Sequence, residues 1–407
     1  MITQSGQSFL DFKKEAAVHA FPDAFSSYAR SFGDIYFWEK GNFHVITKAN
    51  LAREVLTSPK FSADRGGFFI SRMPNMDLSL IGDFFGVVKR MMVMSDDDDH
   101  ARKRKLAATG FEDHILERFT KVLQKTVKTL VDEVENKKSF DFAEEIAKKL
   151  PSTVLADLLS IPLSDRENFF TWSGTMTGFF GGASQYRNED GIEVNHAAKS
   201  LRTYFENLLQ ERRRNPGEDY ISILLKVQGM TGMSDEDLVA QIMMMLVAGQ
   251  VTTTDQINNI MFLLLQRPEL QKQLKENPEL IMPAVEECKR LDPAVTFIFR
   301  VAREEHTLGG QPIKNGDVIF ISTHCVNRDE LEDADAFNLN RKAQHFAYGH
   351  GSHYCLGAKL GRLEMKLLFE EMFKRLPVLM PDQEKGSERD HYSLSFSGFK
   401  QLNVKLA

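Results

Sequence analysis

The run His345-Phe-Ala-Tyr-Gly-His-Gly-Ser-His-Tyr-Cys-Leu-Gly357 places one cysteine, Cys355, among closely spaced glycines and directly ahead of a helical pattern. Gly349 and Gly351 allow a tight turn that a side chain would strain, and Gly357 removes a side chain where a flat ligand has to approach the backbone. From Leu356 onward, Leu360, Leu363 and Leu367 recur at helical spacing up to Pro377, which puts Cys355 at a helix N-terminus. There the orphan backbone N–H groups and the positive end of the helix dipole favour an anionic sulfur. A lone Gly-x-Gly before a helix would equally suit a buried, inert cysteine, so the rest of the chain has to decide between the two.

At 407 residues the chain exceeds the size at which a single core usually stops growing. No Pro/Gly/Ser-rich linker, low-complexity block or internal repeat divides it, so residues 1–407 read as one continuous domain. A composition of 42% hydrophobic and 27% charged residues is that of an ordinary soluble globule, and the net charge of −6 argues against a general nucleic-acid binder. The longest apolar runs, 242–249 and 260–265, fall far short of the roughly 18 to 20 residues that span a bilayer. The N-terminus MITQSGQSFLDFKKE has no apolar signal core, and a cytoplasmic protein is expected. Cys288, Cys325 and Cys355 are too few and too scattered for a disulfide framework or a C-x-x-C zinc site.

Helical periodicity dominates, with short strand-like stretches at 34–47, 295–301, 318–322 and in the C-terminal tail. The expected fold class is therefore mainly α with small β-sheets. The longest helix starts at Ser234, which forms a capping box with Asp237, and can run to Arg267 before Pro268 stops it. Its middle reads Leu246-Val-Ala-Gly-Gln-Val-Thr-Thr-Thr-Asp-Gln256. Gly249 costs about 1 kcal/mol against Ala there and is a natural place for a kink. Thr252 can bond back to a carbonyl or turn its hydroxyl toward a ligand. Glu287 and Arg290, three apart, share one helical face.

Taken together, these stretches resemble the cytochrome P450 family of haem-thiolate monooxygenases. Gly349, Gly351, His353, Cys355 and Gly357 fall on its haem-binding signature, and one position departs from it, Tyr348 standing where Phe is usual. A phenol there can still pack on the loop, but its hydroxyl needs a partner. The 246–256 segment resembles the family's helix passing over the distal face of the haem, usually Ala-Gly-x-Glu/Asp-Thr-Thr, and Ala248 and Gly249 match it. Glu287 and Arg290 match the Glu-x-x-Arg pair, with Arg341 as its third member.

The resemblance implies a haem b held between the long central helix and the helix after the cysteine loop, with Cys355 as axial iron ligand. His100 and Arg104, which follow the Asp96 to Asp99 run, together with Arg300 and His353, are implied as partners of the haem propionates. Thr252 is implied in oxygen activation. The acid expected beside it is Val251, so Gln250, Asp255 or ordered water replaces it in the proton relay, or the substrate contributes a polar group, or a different oxidation is run.

The implied activity inserts one oxygen atom of O2 into a C–H or C=C bond, with electrons from NAD(P)H by way of a ferredoxin and its reductase. Arg102 to Lys105, with Lys359 and Arg362, are candidates for docking that partner, or simply solvated helix faces. Residues 66–90, 169–197, 243–252, 295–299 and 394–398 correspond to the family's substrate-facing segments. Their Phe-Phe pairs at 68, 84, 169 and 179, with Phe297, Phe299 and Phe396, favour a largely hydrophobic small molecule. A secondary-metabolite tailoring step on a polyketide, peptide or terpene is expected, free or carrier-bound, by a monomer with no membrane or nucleic-acid partner. The competing expectations are a peroxide-using haem-thiolate enzyme and a haem-binding protein without turnover.

Overall fold

The computed structural model describes residues 23–39, 41–180, 186–342, 344–390 and 395–406. Residues 1–22, 181–185 and Leu394, which fall in the N-terminal segment and two of the expected substrate-facing stretches, lie outside the described residues, as does the Phe180 side chain. The described residues are 60% helical with small sheets, as the periodicity predicts. It divides into two compact units, each discontinuous in sequence: residues 63–126 and 150–251 form one, and residues 1–62, 127–149 and 252–407 the other.

The first unit is helical throughout among the described residues. Helix α1 is Asp97–Ala108, α2 Lys149–Leu158 and α3 Arg166–Phe180. The longest helix, α4, spans Asp235–Leu265 and passes from this unit into the other. Ser234 caps it as expected: its hydroxyl accepts from the Asp237 N–H at 3.2 Å, while its own N–H donates to the Asp237 carboxylate at 3.3 Å. With 31 residues, α4 is about 46 Å long and runs as continuous α-helix through Gly249.

The second unit holds every described strand: β1 Ile35–Trp38, β2 Phe43–Ile46, β3 Phe61–Ser62, β4 Ser139–Asp141, β5 Phe297–Ala302, β6 His306–Leu308, β7 Gln311–Ile313, β8 Val318–Ser322, β9 Leu379–Pro381, β10 Ser387–Asp390 and β11 Gly398–Leu406. The largest sheet has the order β1-β2-β8-β5-β3, parallel only between β2 and β8. Its middle strand β8 is buried at all five positions, hence its near-continuous apolar run rather than an alternation. A second sheet orders β10-β11-β4 with β9 also on β11, and β6-β7 is a hairpin. Helices α5, Ile281–Leu291, and α6, Ala358–Arg375, complete the part that matters for chemistry. The sheet core gathers Ile46, Val55, Leu56, Ile319, Ile321 and Phe346, and the last of these ties the cysteine loop to the sheet.

The stretch 34–47 is a hairpin of two strands rather than one. β3, β4, β9 and β10 had no visible signal because strands this short, of two to four residues, show too little alternation to be told from loop.

Candidate active site

The cysteine loop is built from the core outward. Phe346 is 5% exposed, and its N–H donates to the Asn327 side-chain carbonyl at 2.6 Å. Gly349 and Gly351 have φ of 72° and 71°, the left-handed conformation expected of them. A side chain on Gly351 would also collide with the Leu56 carbonyl. The chain then folds back so that the Cys355 N–H donates to the Tyr348 carbonyl at 2.8 Å. Helix α6 starts at Ala358 with Gly357 as its N-cap, so Cys355 lies in the turn leading into the helix.

Of the three cysteines, Cys355 alone is exposed. Cys288 and Cys325 are fully buried, and burial pushes both thiols up, which keeps them protonated and inert. A Cβ added to Gly357 would meet nothing within 4 Å, so the backbone beside the cysteine offers a bare face.

Glu287 anchors the scaffold under this loop. Arg290 grips it with two bonds of 2.8 Å, Arg341 adds one at 3.2 Å, and the Asn338 N–H donates at 3.0 Å. Arg290 and Arg341 then spend their remaining donors on carbonyls at 332–336 and on Asn327, tying α5 to the segment before the loop. Burial pushes the Glu287 carboxyl up, but these bonds outweigh it and hold it below the ordinary carboxylate range.

A second network beside it joins the i, i+3 pair Glu286 and Lys289 to His345, Tyr348 and Arg362, whose distance along the chain left no sequence signal. Glu286 takes bonds from Lys289, from His345 at 3.0 Å and from Arg362 at 3.0 and 2.9 Å. Lys289, 1% exposed, donates to the Tyr348 hydroxyl at 3.2 Å, and its ammonium lies 4.4 Å from the ring centre. The Arg362 guanidinium stands 4.5 Å from the same ring centre.

Along α4, burial is interrupted. Residues 238–247 and 256–265 are almost all buried, whereas Ala248 is exposed and Gly249 and residues 251–255 are half-exposed. This break leaves surface uncovered at the centre of an otherwise buried apolar helix. Thr252 lies in this window. A Cβ on Gly249 would press on the Leu155 side chain of α2 at 3.3 Å. Gln250 is buried with both amide ends engaged: its carbonyl accepts from Ser173 of α3 at 2.5 Å and its nitrogen donates to Ser152 of α2 at 3.2 Å. Asp255, on the face of Thr252, packs so closely on Gly398 that a Cβ there would overlap its carboxylate.

The expected propionate partners fall in both units. Arg300, on β5, is 6% exposed and donates to the Phe299 carbonyl at 3.0 Å, while Ile298 of the same strand reaches Gly349. His353 is half-buried in the short turn Gly351–His353. In the helical unit, His100 is buried and Arg104 half-buried, one turn apart on α1. Of the expected basic cluster, Arg102 and Lys103 both pair with Asp99, and Arg362 is committed to Glu286, whereas Lys105 and Lys359 are exposed.

One exposed thiol, a bare glycine beside it and a buried arginine on the strand packed against the loop suit a flat, anionic cofactor with a metal at its centre, and they fit haem. The family model for cytochrome P450 matches residues 9–403, and the chain belongs to that family. It is 33% identical over 301 residues to a biotin biosynthesis cytochrome P450 of Bacillus subtilis, covering 73% of this chain and 75% of that one. It is 34% identical over 298 residues to mycinamicin IV hydroxylase/epoxidase of Micromonospora griseorubida, covering 72% and 73%. Among solved structures, P450BioI in complex with an acyl carrier protein ligated to hexadec-9Z-enoic acid superposes with a TM-score of 0.87 at 28% identity, over 98% of this chain and 100% of that one. The protein is thus a cytochrome P450 monooxygenase with the P450 fold, and the family implies haem-thiolate chemistry with O2. Among the described residues no helix is long and apolar enough to cross a membrane.

Proposed function

We propose that this P450 oxidises a largely hydrophobic small molecule in a secondary-metabolite tailoring step, inserting one oxygen atom into a C–H or C=C bond. The second oxygen atom leaves as water, with two electrons from NAD(P)H arriving through a ferredoxin and its reductase. Cys355 would hold haem b, which would supply the O–O cleavage with the thiolate's electron density favouring it. His100, Arg104, Arg300 and His353 hold its propionates, and Tyr348, Gly349 and Gly357 shape the loop around the ligand. Residues 1–407 act as one domain in a cytoplasmic monomer.

The observation that carries this reading is the break in burial along α4, which presents Ala248, Gly249 and Thr252 in the middle of an otherwise buried helix. Thr252 steadies the proton used in oxygen activation. With Val251 beside it, protons reach Thr252 through Gln250, Asp255 or ordered water. Asp255 is favoured, since it lies one turn on along the same face while both amide ends of Gln250 are bonded to Ser152 and Ser173. The mycinamicin IV hydroxylase/epoxidase relative and the acyl carrier complex of the structural neighbour support trying both free hydrophobic metabolites and carrier-bound acyl chains as substrates.

Spectral titration of the haem-loaded protein with such a panel tests the reading. A substrate shifts the spin state of the iron and yields an oxygenated product with NADPH, ferredoxin and reductase. Val251 favours one second reading, a peroxide-driven enzyme; product with hydrogen peroxide but none with any competent ferredoxin couple would select it.

A further inference from the structure

A buried polar cluster joins α4 to the two turns 295–299 and 395–398. Asp292 and Arg389 are 0% and 2% exposed and form an ion pair. Arg389 also donates to the Ser397 hydroxyl at 3.1 Å and the Asn259 carbonyl at 3.5 Å, and its guanidinium stacks 4.5 Å from the Phe399 ring centre and 5.2 Å from that of Phe262. His324, also fully buried, approaches Asp292 at 3.5 Å.

Two residues of α4 complete the cluster. Gln256 donates to the Asp292 carbonyl at 3.1 Å and accepts from the Ala294 N–H at 3.0 Å. Asn259 donates to the Asp292 carbonyl at 3.3 Å and the Ser397 carbonyl at 2.9 Å. The two turns are also bonded to each other, Thr296 to Ser395 and Ser397 to Ala294, each at 2.8 Å, around the bridge between Val295 and Phe396.

The spacing gives this cluster a consequence for the reaction. Thr252, Gln256 and Asn259 stand at i, i+4 and i+7, on one face of the helix. Gln256 therefore holds Asp292 and Ala294, directly ahead of the first turn, about 6 Å along the axis from Thr252, and Asn259 holds Ser397 of the second about 10 Å along, on the same face. We propose that Asp292 and Arg389 are positioning residues for the oxidation: their pair, with Gln256 and Asn259, holds both turns at a set distance from Thr252 and so decides which part of a bound molecule meets the oxidant. This rests on the reading that the turns line the substrate site. A hydrophobic pair of similar volume could have stabilised the fold without the desolvation cost of two buried charges, but it could not have bonded two turns and a helix in one register.

Two azoles that ligate haem iron test it without knowledge of the substrate. Imidazole carries no substituent, whereas 4-phenylimidazole carries a phenyl ring that this proposal sets against the turns. In Asp292→Asn and Asn259→Ala, the dissociation constant of 4-phenylimidazole rises relative to that of imidazole by about fivefold, the effect of one lost hydrogen bond's positioning. Arg389→Lys, which keeps the charge, shows a smaller change in this ratio than Arg389→Met. Asn259→Ala removes no charge and keeps the test alive if the ion-pair variants fail to fold. Arg212→Lys is the control, since Arg212 pairs with the buried Asp219 and with Glu211, neither of them a member of this cluster. An unchanged azole ratio in variants destabilised as much as this control overturns the positioning role. Absence of any Soret band from the parent after loading with haem overturns the haem reading instead, and the proposal with it.

Discussion

The Lys289 ammonium donates a hydrogen bond to the Tyr348 hydroxyl at 3.2 Å while lying 4.4 Å from the centre of the same ring. A lysine this deeply buried is costly unless paired, and burial draws its pKa down to about 8 even with Glu286 beside it. The phenol thus meets a need on both sides: Tyr348 requires a partner for its hydroxyl, and Lys289 requires an acceptor. Tyr348→Phe should cost about 1 kcal/mol. Thermal denaturation of Tyr348→Phe, Lys289→Met and the double variant should show a coupling of about 1 kcal/mol; additive losses would separate the two residues.

Breaking the Glu287 network should cost much more. Glu287→Ala leaves the buried Arg290 guanidinium without its carboxylate, for about 3 to 5 kcal/mol, and should lower haem content. Arg341 gives Glu287 a single bond, so Arg341→Ala should cost about 1 kcal/mol. Equal losses from the two, read from denaturant midpoints, would contradict this ranking.

The thiolate assignment has a direct spectroscopic test. The reduced protein under carbon monoxide should show the strongly red-shifted Soret band of a thiolate ligand, and Cys355→Ala should abolish it. Cys288→Ala and Cys325→Ala should retain it, because both thiols are buried and held protonated.

Proton delivery is separable by two substitutions. Asp255→Asn should raise hydrogen peroxide release per NADPH consumed, and Val251→Asp should lower it. If neither changes the coupling of electrons to product, neither position limits the relay.

Glu364 on α6 supplies a pH signature. Burial alone pushes its carboxyl up from 4.5 to about 8, so the folded chain holds a proton that the unfolded chain releases. Stability from this group is therefore full below about pH 4.5 and is lost as pH rises toward 8. Glu364→Gln should flatten that decline and stabilise the protein at pH 8 by on the order of a few kcal/mol, measured by denaturation across pH. A decline as steep in the variant as in the parent would falsify the assignment.

Local signals carried well from sequence to structure. The Ser234 cap, the left-handed glycines 349 and 351, and the 358–375 helix each depend on neighbours within a few residues, so their chemistry is readable in line. Glu287 with Arg290 was equally plain at a spacing of three. The third member, Arg341, was reached only through family order, and the distance of 3.2 Å bears the pairing out.

The clusters that surround the site were not readable in this way. Glu286 meets His345 and Arg362 across 59 and 76 residues, and Asp292 meets Arg389 across 97. An acidic or basic residue inside a helix pattern looks the same whether it ends in solvent or in a buried pair. Gln250 shows the same limit: beside Thr252 it reads as part of the relay, but its amide is bonded to Ser152 and Ser173.

By itself the sequence determined the class of protein, the cysteine loop with its left-handed glycines and the long helix carrying Thr252, because each is written in backbone requirements and short spacings. Only the tertiary structure decided what stabilises Tyr348 in place of phenylalanine and how the 395–398 turn is held to the helix of Thr252. Those outcomes depend on burial, which sets whether a charge is screened by water or must find its partner in a distant part of the chain.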